Sequence, residues 1–207
     1  MIINPKEIEK KSFEIITKEL GHLNIPKEYD PIIKRVIHTT ADFDYGRILE
    51  FHKDSIKNCV DAIKGRCKIY CDTKMIIAGV NKNELQKFGS EIYSFIDDPE
   101  VVSQSKETRI TRSIIGIEKA CKDKNTKIFV IGNAPTALFK LKELILQKVI
   151  NPKLIIGVPV GFVGASESKE EIKETSVPYI VTNGRKGGST VAVAILNAII
   201  YGIKNDT

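Results

Sequence analysis

The sequence is short of the features that would place a chain in a membrane or outside the cell. Its most apolar stretch, Val191 to Ile203, is too short to cross a bilayer comfortably and is interrupted by Asn197 and Gly202. The amino-terminal MIINPKEIEKK lacks the basic-then-apolar order of a secretory signal. Four cysteines (Cys59, Cys67, Cys71 and Cys121) in 207 residues do not make a disulfide framework, and reduced, partly buried thiols are expected. Cys67 and Cys71 lie near each other with His52 upstream, but CxxC spacing and a second cluster are both missing, so no metal site is expected. These absences lead us to expect a cytoplasmic protein with no membrane contact.

Nucleic-acid signatures are absent as well. The net charge of +6 suits an acidic partner, yet the lysines are spread along the chain with no basic tail, zinc finger or RNP-like aromatic motif. No nucleic acid is therefore expected. A polyanionic small molecule fits the charge equally well, with Arg109, Arg112 and Arg185 near polar turns. The nucleotide fingerprints are missing too. Gly157, Gly161 and Gly164 give GxxxGxxG instead of GxGxxG, GRKGGST is no P-loop, and there is no GxSxG elbow. A nucleotide- or phosphate-binding enzyme is left with only the glycine-rich turns in its favour.

What is present is a run of strands alternating with helices. Apolar segments KIYC (68–71), KIFVI (127–131), LII (154–156) and YIVT (179–182) read as buried strands, with EIYSFI (91–96) as a further one and 47–51 as an edge strand. Helices are expected over 5–20, 31–38, 54–64, after Asp72 to Gly79, through Ile110 to Cys121, from Ala137 to near Val149, near 166–175, and over 191–200. In the first helix Asn4 caps, and Ile8, Ser12, Ile15 and Ile16 share a face; Ser12 there either bonds a carbonyl one turn back or faces a ligand. Asp72 and Asn133 stand where they can cap the helices that follow them. The alternation implies an α/β fold, a three-layer α/β/α sandwich on a mainly parallel sheet, in a single domain with helix 5–20 as an extension.

Three of these helices begin in glycine-rich turns just after strands, near Asn133, Gly164 and Ser189. Backbone N–H groups and helix dipoles at such turns bind anions, carboxylates included; tight structural turns are the alternative. His38, followed by Thr39, Thr40, Asp42 and Asp44, is either an acid–base residue oriented by neighbouring carboxylates or a structural histidine at a helix end. His22 and His52 have less polar company and read as structural or surface residues.

In this order the segments RVIHTTADFD (35–44), CDTKMIIAGV (71–80), TRS (111–113), GNAPTALF (132–139), GVPVGFVGASESK (157–169) and GRKGGSTVAVAILNA (184–198) resemble the precorrin-8X methylmutase family, also called cobalt-precorrin-8 methylmutase, over nearly the whole chain. Departures are small: Thr40-Ala41 stands where a small residue and glycine are more usual, and Ser166 where alanine is. The resemblance implies an isomerase of corrin biosynthesis that moves a methyl group from C-11 to C-12 of a tetrapyrrole-derived macrocycle. It implies His38 as the group that protonates or hydrogen-bonds a ring nitrogen, no cofactor, and a homodimer with substrate at the interface. Substrate contacts are expected from Ser12, Asp72, Arg112, Asn133, Gly161, Gly164, Arg185 and Ser189, with Val158, Pro159, Val160 and Phe162 as an apolar wall. A non-catalytic corrinoid-binding carrier would share the same pocket.

Overall fold

The computed structural model describes residues 4–21 and 23–204; His22 lies outside them. The chain opens with helices α1 (Pro5–Leu20), α2 (Asp30–Thr40) and α3 (Tyr45–Ile48), then strand β1 (Leu49–Phe51) and helix α4 (Ser55–Lys64). Strand β2 (Lys68–Cys71) leads to α5 (Lys74–Gly79), α6 (Lys82–Lys87) and β3 (Glu91–Tyr93). There follow α7 (Pro99–Thr108), α8 (Arg112–Ala120), β4 (Thr126–Ile131), α9 (Pro135–Leu146), β5 (Leu154–Gly157), α10 (Ala165–Lys173), β6 (Tyr179–Thr182) and α11 (Ser189–Lys204).

The strands form one sheet in the order β1-β6-β5-β4-β2-β3. All neighbours are parallel except β1, which runs antiparallel to β6 at one edge. Strand runs without polar alternation are what a sheet covered on both faces demands. Successive residues accordingly serve opposite cores: Ile128 and Val130 pack on the side of α2, α4 and α11, while Phe129 and Ile131 join Leu138, Leu141 and Ile172 of α9 and α10. This is the expected three-layer α/β/α sandwich on a mainly parallel sheet.

Chain direction sets where a ligand can sit. From β2 the chain moves outward to β3, and from β4 it moves the other way to β5, so the carboxyl ends of β2 and β4 flank the topological switch point. The antiparallel β1 brings the end of α2, and with it His38, to that same rim.

Several elements differ from expectation. EIYSFI pairs only over Glu91–Tyr93. The single helix expected through Ile110 begins instead at Arg112, because Arg109 takes a left-handed conformation that closes α7, and Thr111 then caps α8 through its hydroxyl. The α7 helix itself, announced by Asp98-Pro99, was not anticipated. In α1 the Asn4 cap forms, accepting from the Lys6 N–H at 3.0 Å. The apolar stripe does not: Ile16 and Leu20 are buried, whereas Ile8 and Ile15 remain 47% and 49% exposed. The cause is that α1 is an outer layer lying on α2, so it buries one narrow seam. The helix α11, apolar nearly all round, packs centrally on α2 and α5, with Val191, Ile195, Leu196 and Ile200 buried.

Candidate active site

His38 lies in the last turn of α2, its imidazole exposed at the rim. The ring stacks on Phe13 of α1, centroids 5.1 Å apart and planes within 5°. Sequence spacing suggested that Asp42 and Asp44 would hold it. In the structure both carboxylates are bound by the Lys186 ammonium, at 2.5 and 2.7 Å, and Asp42 also accepts from the Asp44 N–H at 3.0 Å. The Lys186 hydrogen bond holds the Asp42 carboxyl below its ordinary range, and the two carboxylates together push the lysine up. The acidic pair thus anchors the His38 segment to the loop after β6, and the aromatic ring of Phe13 is what lies against the imidazole. Ala41 closes α2 in a left-handed conformation (φ 54), its N–H donating to the Ile37 carbonyl at 2.7 Å.

At the switch point stands Asp72, 1% exposed. Its expected cap on α5 is made instead by Thr73, whose hydroxyl accepts from the Ile76 N–H at 3.3 Å. The Asp72 carboxylate reaches across to β4 and accepts from the N–H groups of Gly132, Asn133 and Ala134 at 2.9, 2.9 and 2.8 Å. Burial pushes this carboxyl up, while the three donors pull it back toward the charged form. Asn133 consequently does not cap α9: Ala134 occupies that position, and the Asn133 side chain is left exposed at the rim. The amide donors after β4, expected to be free for a ligand, are taken by an internal anion.

The other two glycine-rich turns are organised differently. Gly164 enters α10 with φ 74, and Gly161 donates its N–H to the Arg185 carbonyl at 3.1 Å. Gly188 donates to the Val158 carbonyl at 2.8 Å, and a Cβ at Gly187 would strike that same carbonyl, so the loops after β5 and β6 lie in backbone contact. Ser189 starts α11 with its hydroxyl 2.9 Å from that of Thr73. At Gly132 a Cβ would come within 2.8 Å of the Ser189 Cα, which brings the starts of α9 and α11 together. The Arg185 guanidinium sits 5.4 Å from the ring centroid of Phe162, itself 83% exposed beside Val163 at 90%. Val158 and Pro159, expected in an apolar wall, are instead buried beneath the rim; Val160 and Phe162 are the exposed members.

Arg112, at the start of α8, is exposed and donates to the Ile96 carbonyl at 3.1 Å. Ser12 donates to the Ile8 carbonyl at 2.9 Å, the local bond open to a mid-helix serine, in the residue just before Phe13. A shallow cleft of about 180 Å³, lined by Arg35, Thr39, Met75, Thr190, Val193 and Asn197, opens along the seam of α2 with α5 and α11.

Phe13, Thr73, Lys169 and Lys186 were not singled out from sequence. The signal for Lys169 was available: it shares a helical stripe with Ala165, Ser168 and Ile172, and a lysine there must be buried. Lys186 and Phe13 carry no local signal, since their partners lie far away in the chain. Among the described residues no group of three or more His, Cys, Asp or Glu is placed to hold a metal ion, and no helix is long and apolar enough to cross a membrane.

The geometry can be set beside known proteins. The chain is 48% identical to a cobalt-precorrin-8 methylmutase of Priestia megaterium, across 96% of this chain and 88% of that protein. It is 43% identical to the cobalt-precorrin-8 methylmutase of Salmonella typhimurium, covering 98% of both. The solved structure of a precorrin-8X methyl mutase from Thermus thermophilus superposes with a TM-score of 0.90 at 38% identity, covering 97% of each chain. The family model for precorrin-8X methylmutase matches residues 7–202, and with it the whole rim described above. This chain therefore belongs to the precorrin-8X methylmutase family.

Proposed function

We propose that this chain, an isomerase of cobalamin biosynthesis by its family, moves a methyl group from C-11 to C-12 of precorrin-8, with or without cobalt in the ring, giving hydrogenobyrinate or cobyrinate in the cytoplasm. The observation that carries this reading is an exposed imidazole, His38, on a rim that also carries glycine-rich loops, two helix N-termini and Arg185. A polycarboxylate macrocycle needs both parts.

In the reaction the bond from C-11 to the methyl breaks and the bond to C-12 forms within one molecule. No atom enters or leaves, and no electrons pass to a redox partner. His38 donates a proton or hydrogen bond to a ring nitrogen beside the migrating centre and stabilises electron density as it shifts. Phe13 holds the imidazole plane. The substrate carboxylates fall to Arg112, Arg185, the exposed Asn133 side chain, and the turns at Gly161, Gly164 and Ser189. Asp72 supports them by fixing the turn after β4, and Ser12 lies on the α1 face beside Phe13. Exposed Val160, Phe162 and Val163 are too apolar for a free surface and suit a macrocycle face and the second subunit of a homodimer.

The test is an anaerobic visible spectrum of the protein mixed with cobalt-precorrin-8. Turnover changes ring conjugation and gives a new band over time. His38→Ala should lower kcat by about 100-fold or more while cobyrinic acid still binds. An immediate small shift that never evolves in the wild type would instead indicate a carrier, and a fully active alanine variant would remove His38 from the mechanism.

A further inference from the structure

Lys169 is 0% exposed, which is rare for a lysine without a carboxylate partner. Its ammonium lies 3.2 Å from the Pro159 carbonyl, 3.1 Å from the Thr182 hydroxyl and 3.0 Å from the Lys186 carbonyl. Three ammonium hydrogens meet three oxygens. The Thr182 hydroxyl spends its own proton on the Lys186 carbonyl at 2.7 Å, so it turns a lone pair to the lysine. All three partners are neutral. The neighbouring Glu170 pairs with Lys173 instead, at 2.6 Å.

Burying an ammonium costs several kcal/mol, and an apolar side chain of similar volume would fill the site without that cost. Packing alone therefore does not account for the residue; its partners do. Pro159 belongs to the loop after β5 and Lys186 to the loop after β6, and each loop also faces the rim. Drawing both carbonyls down onto one cation leaves the Gly161 and Gly188 N–H groups to bond across between the loops and leaves the Arg185 side chain outside. The Lys186 side chain then continues outward to Asp42 and Asp44 on the His38 segment.

We propose that Lys169 is a positioning residue for the methylmutase reaction: its buried ammonium fixes the two glycine-rich loops in one geometry and so sets the surface that receives the substrate carboxylates. The inference rests on the functional reading above for the identity of the ligand, but the clamp itself is a property of the free protein.

The experiment uses full-length wild type, Lys169→Met and Thr182→Val. Amide hydrogen exchange is followed at Gly161 and Gly188, with the β4 amides of Ile128 to Ile131 as an internal control. KM and kcat are measured with cobalt-precorrin-8. For Lys169→Met, exchange in both loops should quicken at least tenfold while β4 is unchanged, and KM should rise about tenfold with a smaller fall in kcat. Thr182→Val, which removes one oxygen and no charge, should move both readouts the same way by less, and carries the test if the methionine variant does not fold. Loop exchange equal to wild type, or a rise shared by β4 with KM unchanged, would overturn the proposal. If the wild type neither turns over substrate nor binds cobyrinic acid, the functional reading fails, and the exchange comparison still decides the clamp.

Discussion

Replacing Asp72 by asparagine tests the arrangement at the switch point directly. The carboxylate accepts one N–H on Oδ1, from Gly132, and two on Oδ2, from Asn133 and Ala134. Asparagine keeps the shape but has one acceptor oxygen. Its best orientation sets that oxygen against the Asn133 and Ala134 donors and turns its NH₂ toward the Gly132 N–H. One buried donor then loses its partner and meets another donor, and the two surviving bonds lose their charge. An orphaned buried donor costs about 1–3 kcal/mol, and weakening two charge-assisted bonds adds about 1 kcal/mol, so the loss is about 2–4 kcal/mol. For a chain of this size that lowers Tm by about 4–16 °C. Urea unfolding of Asp72→Asn against wild type measures it, with amide exchange at Gly132 as the local readout. A stability within about 0.5 kcal/mol of wild type, with Gly132 still protected, would show that the three hydrogen bonds do not hold this turn.

Phe13→Leu keeps α1 packed but removes the ring under His38; stacked rings contribute about 0.5–1.5 kcal/mol, so kcat should fall about 2- to 12-fold with KM near wild type, and a change confined to KM would refute the positioning role. Ala41→Gly should raise Tm by about 1–4 °C in a thermal melt, because the left-handed backbone at φ 54 strains alanine by more than glycine's extra unfolded-state freedom costs; a lower Tm would refute it. Burial brings Lys169 from 10.5 down to about 8. The unfolded chain therefore holds that proton more tightly, the cost of burying the charge is present below pH 8, and it is relieved as pH rises toward 10.5; a gain of about 3 kcal/mol over that window is expected in wild type and not in Lys169→Met.

The sheet was legible because its strands are covered on both faces. A run such as KIFVI has no polar alternation and its length suits one buried strand, so local sequence carries the answer. Helix ends were legible where a side chain caps its own helix, as at Asn4. They were misread where the capping group serves another element. Asp72 looks like a cap for α5 and Asn133 like a cap for α9, but Thr73 takes the first role and the Asp72 carboxylate spans 60 residues to fix the turn that Asn133 was expected to cap. The same holds at the site. His38 and the glycine-rich turns stand out by residue type and by the motifs around them. Lys186 with Asp42 and Asp44, and Phe13 with His38, are pairings of ordinary residues made only by the tertiary fold.

The rim is held by buried charges of opposite sign, and their placement bears on where substrate anions go. The turn after β4 presents three N–H groups to an internal carboxylate, so the start of α9 is already satisfied as an anion site. The turns after β5 and β6 are drawn in from below by an internal cation acting on their carbonyls, which leaves positive potential on that side uncancelled. Under the proposed reaction, the macrocycle's carboxylates should therefore gather over α10, α11 and Arg185, with the ring edge toward His38.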